Sequence, residues 1–246
     1  MSAELAVRMT IGEHLEELRA RLVRSIAVLL AAVVVAMCFY RELVEIVTLP
    51  HFRAMEWCGL PREHALLFSK SYTDPVMGAM KLAFIAAFFV AAPYIAVQIW
   101  GFVASGLHRA EKKYVVRFAP VSFLLFVLGC VFGYFLLVPY ALYGMARMMP
   151  REHLQLLFSF GDYLGLFLTL TLLLGAVFQL PLVMVFLSAT GLVRARSWSS
   201  WRRHAIVANL AVAAAISPPD AISMLIFAVP LLLLYEVGHG VARLSS

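Results

Sequence analysis

The stretch Gly106-Leu107-His108-Arg109-Ala110-Glu111-Lys112-Lys113 follows Gln98-Ile99-Trp100-Gly101-Phe102 and lies between two long apolar segments. Both segments, 76–104 and 115–141, are long enough to cross a bilayer, so the charged stretch is predicted to be a loop just outside the membrane. It holds one carboxylate, Glu111, among four basic groups, which favour its ionised form. Those groups are Arg109, Lys112, Lys113 and Arg117. A carboxylate held in its charged state is suited to binding a cation.

Composition places the whole chain in a membrane. Of its 246 residues, 63% are hydrophobic and 14% are charged, whereas soluble domains are roughly 45–50% apolar. The formal net charge of +6 could suggest a nucleic-acid partner. However, the basic residues form short clusters beside the apolar segments, as membrane topology requires, and nucleic acid is therefore not expected.

The predicted fold is an all-α integral membrane protein with six transmembrane helices in one domain. The predicted spans are 22–40, 76–104, 115–141, 164–190, 204–216 and 221–237. The last two are short and are separated by the tight break Ser217-Pro218-Pro219-Asp220, in which Asp220 is placed to cap the final helix. We expect the helices to form a concave bundle.

Lysine and arginine predict the orientation. The basic clusters lie before the first span, in the 106–117 loop and in the 192–203 loop, so the positive-inside rule places both termini in the cytoplasm. The 41–74 segment is then an outer, periplasmic cap. In a bacterium this membrane would be the cytoplasmic (inner) one, because no cleavable signal is visible at the N-terminus.

Residues 1–21 are predicted to form an amphipathic helix along the cytoplasmic surface that turns into the first span. Thr10 and Glu13 form a capping box. Glu13, Glu16 and Glu17 make a second acidic patch on the same membrane face as Glu111. Two carboxylate sites on one face could bind a ligand with paired positive charges, although such acids are often only a solvated helix face.

Strongly polar groups at membrane depth need a reason, since each costs roughly 2.5–3.5 kcal/mol on insertion scales. Gln179 lies near the middle of the fourth span, and Pro181 can bend the helix there. Two interpretations stay open: Gln179 is a docking spot for a partner helix, or it only packs the bundle through a hydrogen bond. Glu236 is expected to reach the interface and pair with Arg243.

No enzyme signature is present: the sequence has no H-E-x-x-H, no G-x-S-x-G and no phosphate loop. Cys38, Cys58 and Cys130 show no metal spacing, and a Cys38–Cys58 bridge is an open alternative. We expect no cofactor and no metal.

Three separated motifs, in order along the chain, resemble the TatC family, the polytopic receptor subunit of the twin-arginine protein translocase. The N-terminal motif is His14-Leu15-Glu16-Glu17-Leu18-Arg19-Ala20-Arg21-Leu22. The loop motif is the stretch from Gln98 to Lys113, and the last motif joins Ser217-Pro218-Pro219-Asp220 to Pro230 and Tyr235-Glu236-Val237-Gly238.

The resemblance implies a receptor for twin-arginine signal peptides and the core of a translocase that exports folded proteins, driven by the proton gradient. By position, the signal-peptide-binding residues would be Glu17, Arg19, Phe102, Leu107 and Glu111. The peptide's apolar part would run along the concave wall of the bundle.

The implied partners are single-span TatA- and TatB-type subunits, with Gln179 and Pro181 near one docking site, further copies of the chain, and membrane lipid. Pro50, in the outer cap, also matches a position that the family uses. Two departures stand out: Gln179 replaces a frequent glutamate and removes its titratable proton, and Ser105 replaces a frequent proline. A small-molecule transporter or flippase is the alternative function, and an intramembrane enzyme comes third.

Overall fold

The predicted all-α fold is confirmed. The structure, a computed structural model, describes residues 11–106, 112–148, 157–217 and 221–244. Its helices are α1 (Ile11–Cys38), α2 (Tyr40–Trp57), α3 (Asp74–Ser105), α4 (Lys112–Phe132), α5 (Val138–Met148), α6 (Phe160–Val177), α7 (Leu180–Ala189), α8 (Ala195–Ile216) and α9 (Ala221–Leu244). A π-helical turn, Gly133–Leu137, joins α4 to α5.

The first helix differs from the prediction. The expected turn between a surface helix and the first span is absent, because residues 11–38 form one uninterrupted α-helix. The physical reason lies in the sequence: no proline or glycine occurs between Glu13 and Cys38, so nothing removes a backbone hydrogen bond at the membrane boundary. The charged N-terminal turns therefore continue the axis of the span.

Two of the long spans are irregular. The third combines α4, the π-helical turn and α5, and the fourth combines α6 and α7. The break in the fourth span falls at Phe178 and Gln179, directly before Pro181. This agrees with the predicted bend, since proline cannot donate the hydrogen bond that would continue the ladder.

Five spans within the described residues are long and apolar enough to cross a membrane: α1, α3, α4–α5, α6–α7 and α9. The predicted fifth span, 204–216, does not reach that standard. Its helix, α8, is 22 residues long, but its apolar part after Arg203 covers only about 20 Å at 1.5 Å per residue. The hydrocarbon core measures about 30 Å.

The 41–74 segment forms a structured cap. After α2 it contains a 3-10 turn at Arg62–His64 and a two-residue strand, β1 (Leu67–Phe68). This strand pairs in parallel with β2 (Phe158–Ser159), just before α6. Lys70 and Asp162 form an ion pair beside the strand pair, which ties the cap to the N-terminal end of the fourth span.

Two further expectations are corrected or decided. Glu236 forms an ion pair with Arg202, a partner that the sequence did not predict, because α8 and α9 lie side by side and bring these groups to the same level. Cys38, Cys58 and Cys130 form no disulfide bond, so the open alternative of a Cys38–Cys58 bridge is not realised. The main core lies between α3, α5, α6 and α9, where Leu82, Leu164 and Phe227 are buried.

Candidate functional site

The N-terminal turns of α1 pack against the C-terminal turns of α3, and polar side chains join them. Glu17 Oε1 accepts hydrogen bonds from Arg21 Nε at 2.9 Å and from Arg21 Nη2 at 2.6 Å. Arg21 Nη1 also donates to Gln98 Oε1 on α3, at 3.2 Å. A carboxylate one helical turn away orients the guanidinium, and the glutamine fixes its other side. We call Glu17, Arg21 and Gln98 the polar triad.

Gly101 gives the triad its room. A Cβ atom at this position would lie 2.2 Å from Arg21 Nη1 and 2.9 Å from Arg21 Cζ. Real Cβ atoms do not approach that closely, so any larger residue would displace the guanidinium. The glycine in the predicted loop motif is therefore explained by the close approach of Arg21 to the backbone of α3.

Aromatic contacts continue the α1–α3 interface. The His14 ring stacks on Phe102, with ring centroids 4.4 Å apart and an interplanar angle of 18°. Ser105 Oγ lies 3.4 Å from His14 Nδ1 and donates to the Phe102 carbonyl at 2.7 Å. A Cβ on Gly106 would lie 3.7 Å from the His14 ring. Gly106, the residue that follows α3, therefore lies directly beside this interface.

The Glu17 carboxylate is incompletely satisfied. Its side chain is 20% exposed, and Oε2 is buried without a partner at full hydrogen-bond geometry among the residues that the structure describes, although the Ser105 side chain on α3 also interacts with this carboxylate. A buried charged oxygen without a donor costs more than an exposed one, because it has lost water and gained nothing in return. A guanidinium or ammonium group could donate to Oε2 only after the side chains that cover this buried oxygen move aside.

The predicted site residues therefore have different outcomes. The structure brings Glu17 and Phe102 to one interface, while Arg19 is exposed on another side of α1. Leu107 and Glu111 lie outside the described residues, as does Asp220. Their predicted roles stay predictions.

Sequence reasoning missed Arg21, Gln98, Gly101 and His14 as members of this site. The i,i+4 spacing of Glu17 and Arg21 was visible and predicts a helical ion pair. Gln98 belongs to the loop motif, but the sequence alone does not say which face of α3 meets α1, so its bond with Arg21 is visible only in the structure.

Gln179 has a different environment from the polar triad. Its Oε1 accepts from Ser122 Oγ on α4 at 2.6 Å, and its Nε2 donates to the Ser122 carbonyl at 3.0 Å. Both ends of the amide are thus used inside the bundle. This geometry favours the packing interpretation over the docking interpretation. Pro181 is buried at the start of α7, against Gly238 of α9.

Pro50 lies inside α2 and is buried. The neighbouring His51 donates or accepts a hydrogen bond at 2.9 Å with the Ala65 carbonyl. Burial lowers the pKa of His51, and the hydrogen bond to Ala65 only partly opposes this effect. The neutral form of His51 is therefore favoured inside the 41–74 cap. Within the described ranges, no group of three or more His, Cys, Asp or Glu side chains could hold a metal ion.

Fold and site together define a polytopic, all-helical membrane protein with a carboxylate-centred polar cluster at one end of its bundle. The family model described as "Sec-independent protein translocase protein (TatC)" matches residues 13–230. This chain belongs to the TatC family.

Relatives and solved structures agree with this assignment. A Sec-independent protein translocase protein TatC from Koribacter versatilis is 35% identical over 99% of this chain and 89% of its own length. The protein of the same name from Halalkalibacterium halodurans is 33% identical over 96% of this chain and 90% of its own length. A crystal structure of the twin-arginine translocase receptor TatC superposes with a TM-score of 0.78 at 30% identity, covering 95% of this chain and 99% of that one.

Proposed function

We propose that this protein is a receptor for twin-arginine signal peptides and the core subunit of a translocase that exports folded proteins. Its role is transport rather than catalysis. The membrane is the bacterial cytoplasmic membrane, with both chain termini and the polar triad on the cytoplasmic side. The resemblance to the family implies that the proton gradient drives export.

The single observation that carries the proposal is the half-satisfied carboxylate of Glu17. Arg21 holds one oxygen in place, and the other is without a donor among the described residues. A peptide arginine is the fitting donor, because its planar fork matches a carboxylate and its charge strengthens the bond. Glu111 would bind the second arginine from the adjacent loop.

The remaining predicted residues have supporting roles. Phe102 and Leu107 would contact the apolar residues that follow the paired arginines, and Arg19 would repel misplaced cations at the exposed edge. TatA- and TatB-type single-span subunits would dock on the bundle, and further copies of the chain would complete a receptor complex. Because the amide of Gln179 is already paired with Ser122 and Pro181 is buried, docking there would use the exposed apolar neighbours Leu180 and Val183.

The test is the binding of a twin-arginine signal peptide, compared with its twin-lysine version, to the purified chain in nanodiscs. Wild-type protein should prefer arginine, since lysine offers a point charge in place of a fork. Glu17→Ala and Glu111→Ala should each weaken binding, and the double variant should lose the arginine preference. Undiminished binding by the double variant would show that the carboxylate pair is not the receptor site.

A matched control is available on the same helix. Glu16 is exposed one residue away from Glu17, so Glu16→Ala removes the same charge without touching the triad. It should bind the twin-arginine peptide as the wild type does. Equal losses in Glu16→Ala and Glu17→Ala would mean that only the net charge of this surface matters.

The alternative function, a small-molecule transporter or flippase, requires a polar midplane site at a discontinuous helix. The fourth span is discontinuous at Gln179, but the glutamine side chain is bonded to Ser122 on α4. No other observation favours this alternative over a receptor.

A further inference from the structure

An apolar groove of about 340 Å³ opens between α2, α3, α6 and the π-helical turn. Its walls include Leu82, Ile85, Phe89 and Phe167. The volume falls within the roughly 300–1,000 Å³ typical of small-molecule sites. No part of the polar triad contributes to the groove. Its lining is suited to a hydrocarbon chain.

A second, polar cavity of about 170 Å³ lies further along α2. Its lining carries two guanidinium groups, Arg53 and Arg62, and one carboxylate, Glu56. Arg62 Nε donates to Glu56 Oε1 at 3.2 Å, so these two charges offset each other. The Arg53 guanidinium lies 5.9 Å from the centre of the Phe135 ring. The cavity therefore carries a net positive charge, centred on Arg53.

The apolar groove and the polar cavity are neighbours, because Tyr134 and Phe135 line both. These two residues lie in the π-helical turn Gly133–Leu137. Single π-helical turns are rare and often mark functional sites. Here the turn places two consecutive aromatic side chains along the boundary between the cavities, and the Tyr134 hydroxyl donates to the Ile46 carbonyl at 2.6 Å.

A buried hydroxyl group lies in the wall of the apolar groove. Thr171 lines the groove and is 1% exposed, and its Oγ1 has no hydrogen-bond partner within the described part of the chain. Thr171 lies at the level of Gly133, since a Cβ on that glycine would come within 3.3 Å of the Thr171 Cα. A ligand in the groove that carries a hydrogen-bond acceptor would satisfy this unpaired Thr171 hydroxyl.

We propose that the two cavities form one binding site for a glycerophospholipid. The phosphodiester, with its single negative charge, binds Arg53. The ester carbonyl accepts a hydrogen bond from Thr171, and an acyl chain fills the groove past Phe89. The site combines the chemistries that such a lipid requires: a cationic group in the polar cavity, and a hydroxyl group within the adjoining apolar groove. The site is separate from the proposed peptide receptor at the polar triad.

The test uses the purified full chain in detergent, delipidated and then titrated with phosphatidylglycerol while bound lipid is counted by native mass spectrometry. Wild-type protein should retain one lipid. Arg53→Gln should weaken retention roughly tenfold, as expected for the loss of one charged hydrogen bond. Ala86→Phe, which adds a ring to the groove lining, should reduce it independently of charge. Arg41→Gln removes an exposed arginine near the start of α2 and should have no effect.

Three further probes distinguish the occupants. Inorganic phosphate alone, and diacylglycerol without a headgroup, should each fail to displace the phospholipid at equal concentration. Displacement by phosphate would show that the site binds only an anion. Displacement by diacylglycerol would show that it binds only hydrocarbon chains. Either result overturns the proposal. If wild type and Arg53→Gln retain no phospholipid but both bind a signal peptide in the groove, the site belongs to the peptide and the lipid proposal is wrong.

Thr171→Val, folded to the same extent as wild type, should weaken phosphatidylglycerol retention several-fold.

Discussion

The α1–α3 interface and the crossing of α4 with the fourth span solve the same packing problem in opposite ways. Each joins two helices through polar side chains, and each depends on glycine. At the crossing, Gln179 and Ser122 bond reciprocally, and both ends of the amide have partners. At the interface, Arg21 satisfies one oxygen of Glu17 and leaves the other without a donor among the described residues.

The difference separates structural polar groups from binding groups. A closed pair inside the bundle lowers the cost of polar atoms at membrane depth and leaves nothing for a ligand. The Glu17 carboxylate at the edge of the bundle keeps one strong acceptor, Oε2, that is buried and has no donor among the described residues. The position where the family often has glutamate is closed in this chain, and its open carboxylate lies on α1.

The largest effect on peptide binding should come from removing the charge of Glu17. Glu17→Gln keeps the shape of the side chain and removes the charge, so a peptide arginine loses a charge-assisted hydrogen bond worth about 1.5–3 kcal/mol. Affinity for a twin-arginine peptide should fall roughly 10- to 100-fold, measured by titration in nanodiscs. Thermal unfolding should change little. A loss of affinity below twofold would place the arginine contact elsewhere.

Separating α4 from the fourth span should lower the stability of the fold rather than peptide binding. A Cβ on Gly129 would lie 2.6 Å from the Leu174 carbonyl oxygen and 3.0 Å from the Gly175 Cα. Backbone atoms cannot move aside, so Gly129→Ala must separate the helices and should lower the free energy of unfolding by about 1–3 kcal/mol. Thermal denaturation in detergent measures this effect. Gly165→Ala is the control, because an added Cβ there meets nothing within 4 Å; equal midpoints for the two variants would contradict the prediction.

Sequence alone predicted much of this comparison. Apolar length gave the long spans, Pro181 gave the bend at Gln179, and the charged motifs placed Glu17 and Phe102 at one end of the bundle. These features are local, and periodicity or a single residue type encodes them.

The missed features depend on tertiary contacts. The role of Gly101 follows from the position of Arg21 on another helix, and the partner of Gln179 is 57 residues away. The continuous α1 was also missed, because a change from charged to apolar residues was taken for a change in direction. The π-helical turn leaves no residue signature in the sequence.

A smaller effect should separate pairing from docking at the crossing. Ser122→Ala leaves Gln179 Oε1 without its donor, and Gln179→Leu leaves the serine hydroxyl without its acceptor. Each variant should lose about 1 kcal/mol of stability, and the double variant should lose less than their sum. The coupling should be about 0.6 kcal/mol, the average for such bonds in a membrane protein. Unfolding of all four proteins in one detergent gives the cycle.

The same variants test the docking interpretation. If Gln179 is only a packing residue, Gln179→Leu should recover TatA- and TatB-type subunits as well as wild type does in co-purification. Twin-arginine peptide affinity should also stay at the wild-type value, because the crossing is separate from the polar triad. Loss of the small subunits with unchanged stability would return Gln179 to the docking surface.

The smallest effect should come from Gly101→Ala, which tests whether Arg21 orients Glu17 or competes for it. The new Cβ would displace a flexible guanidinium rather than backbone, so the fold should persist. If Arg21 holds the carboxylate in its binding geometry, affinity for a twin-arginine peptide should fall about two- to fivefold, within the range of a lost surface ion pair. Arg21→Lys should act in the same direction. Tighter binding by Gly101→Ala would show that Arg21 occupies the site in place of the peptide. The Glu17 carboxylate would then be occupied by Arg21 until a peptide arginine displaces that side chain. Glu17 would differ from Gln179 because its partner can be exchanged, and not because one of its oxygens lacks a donor.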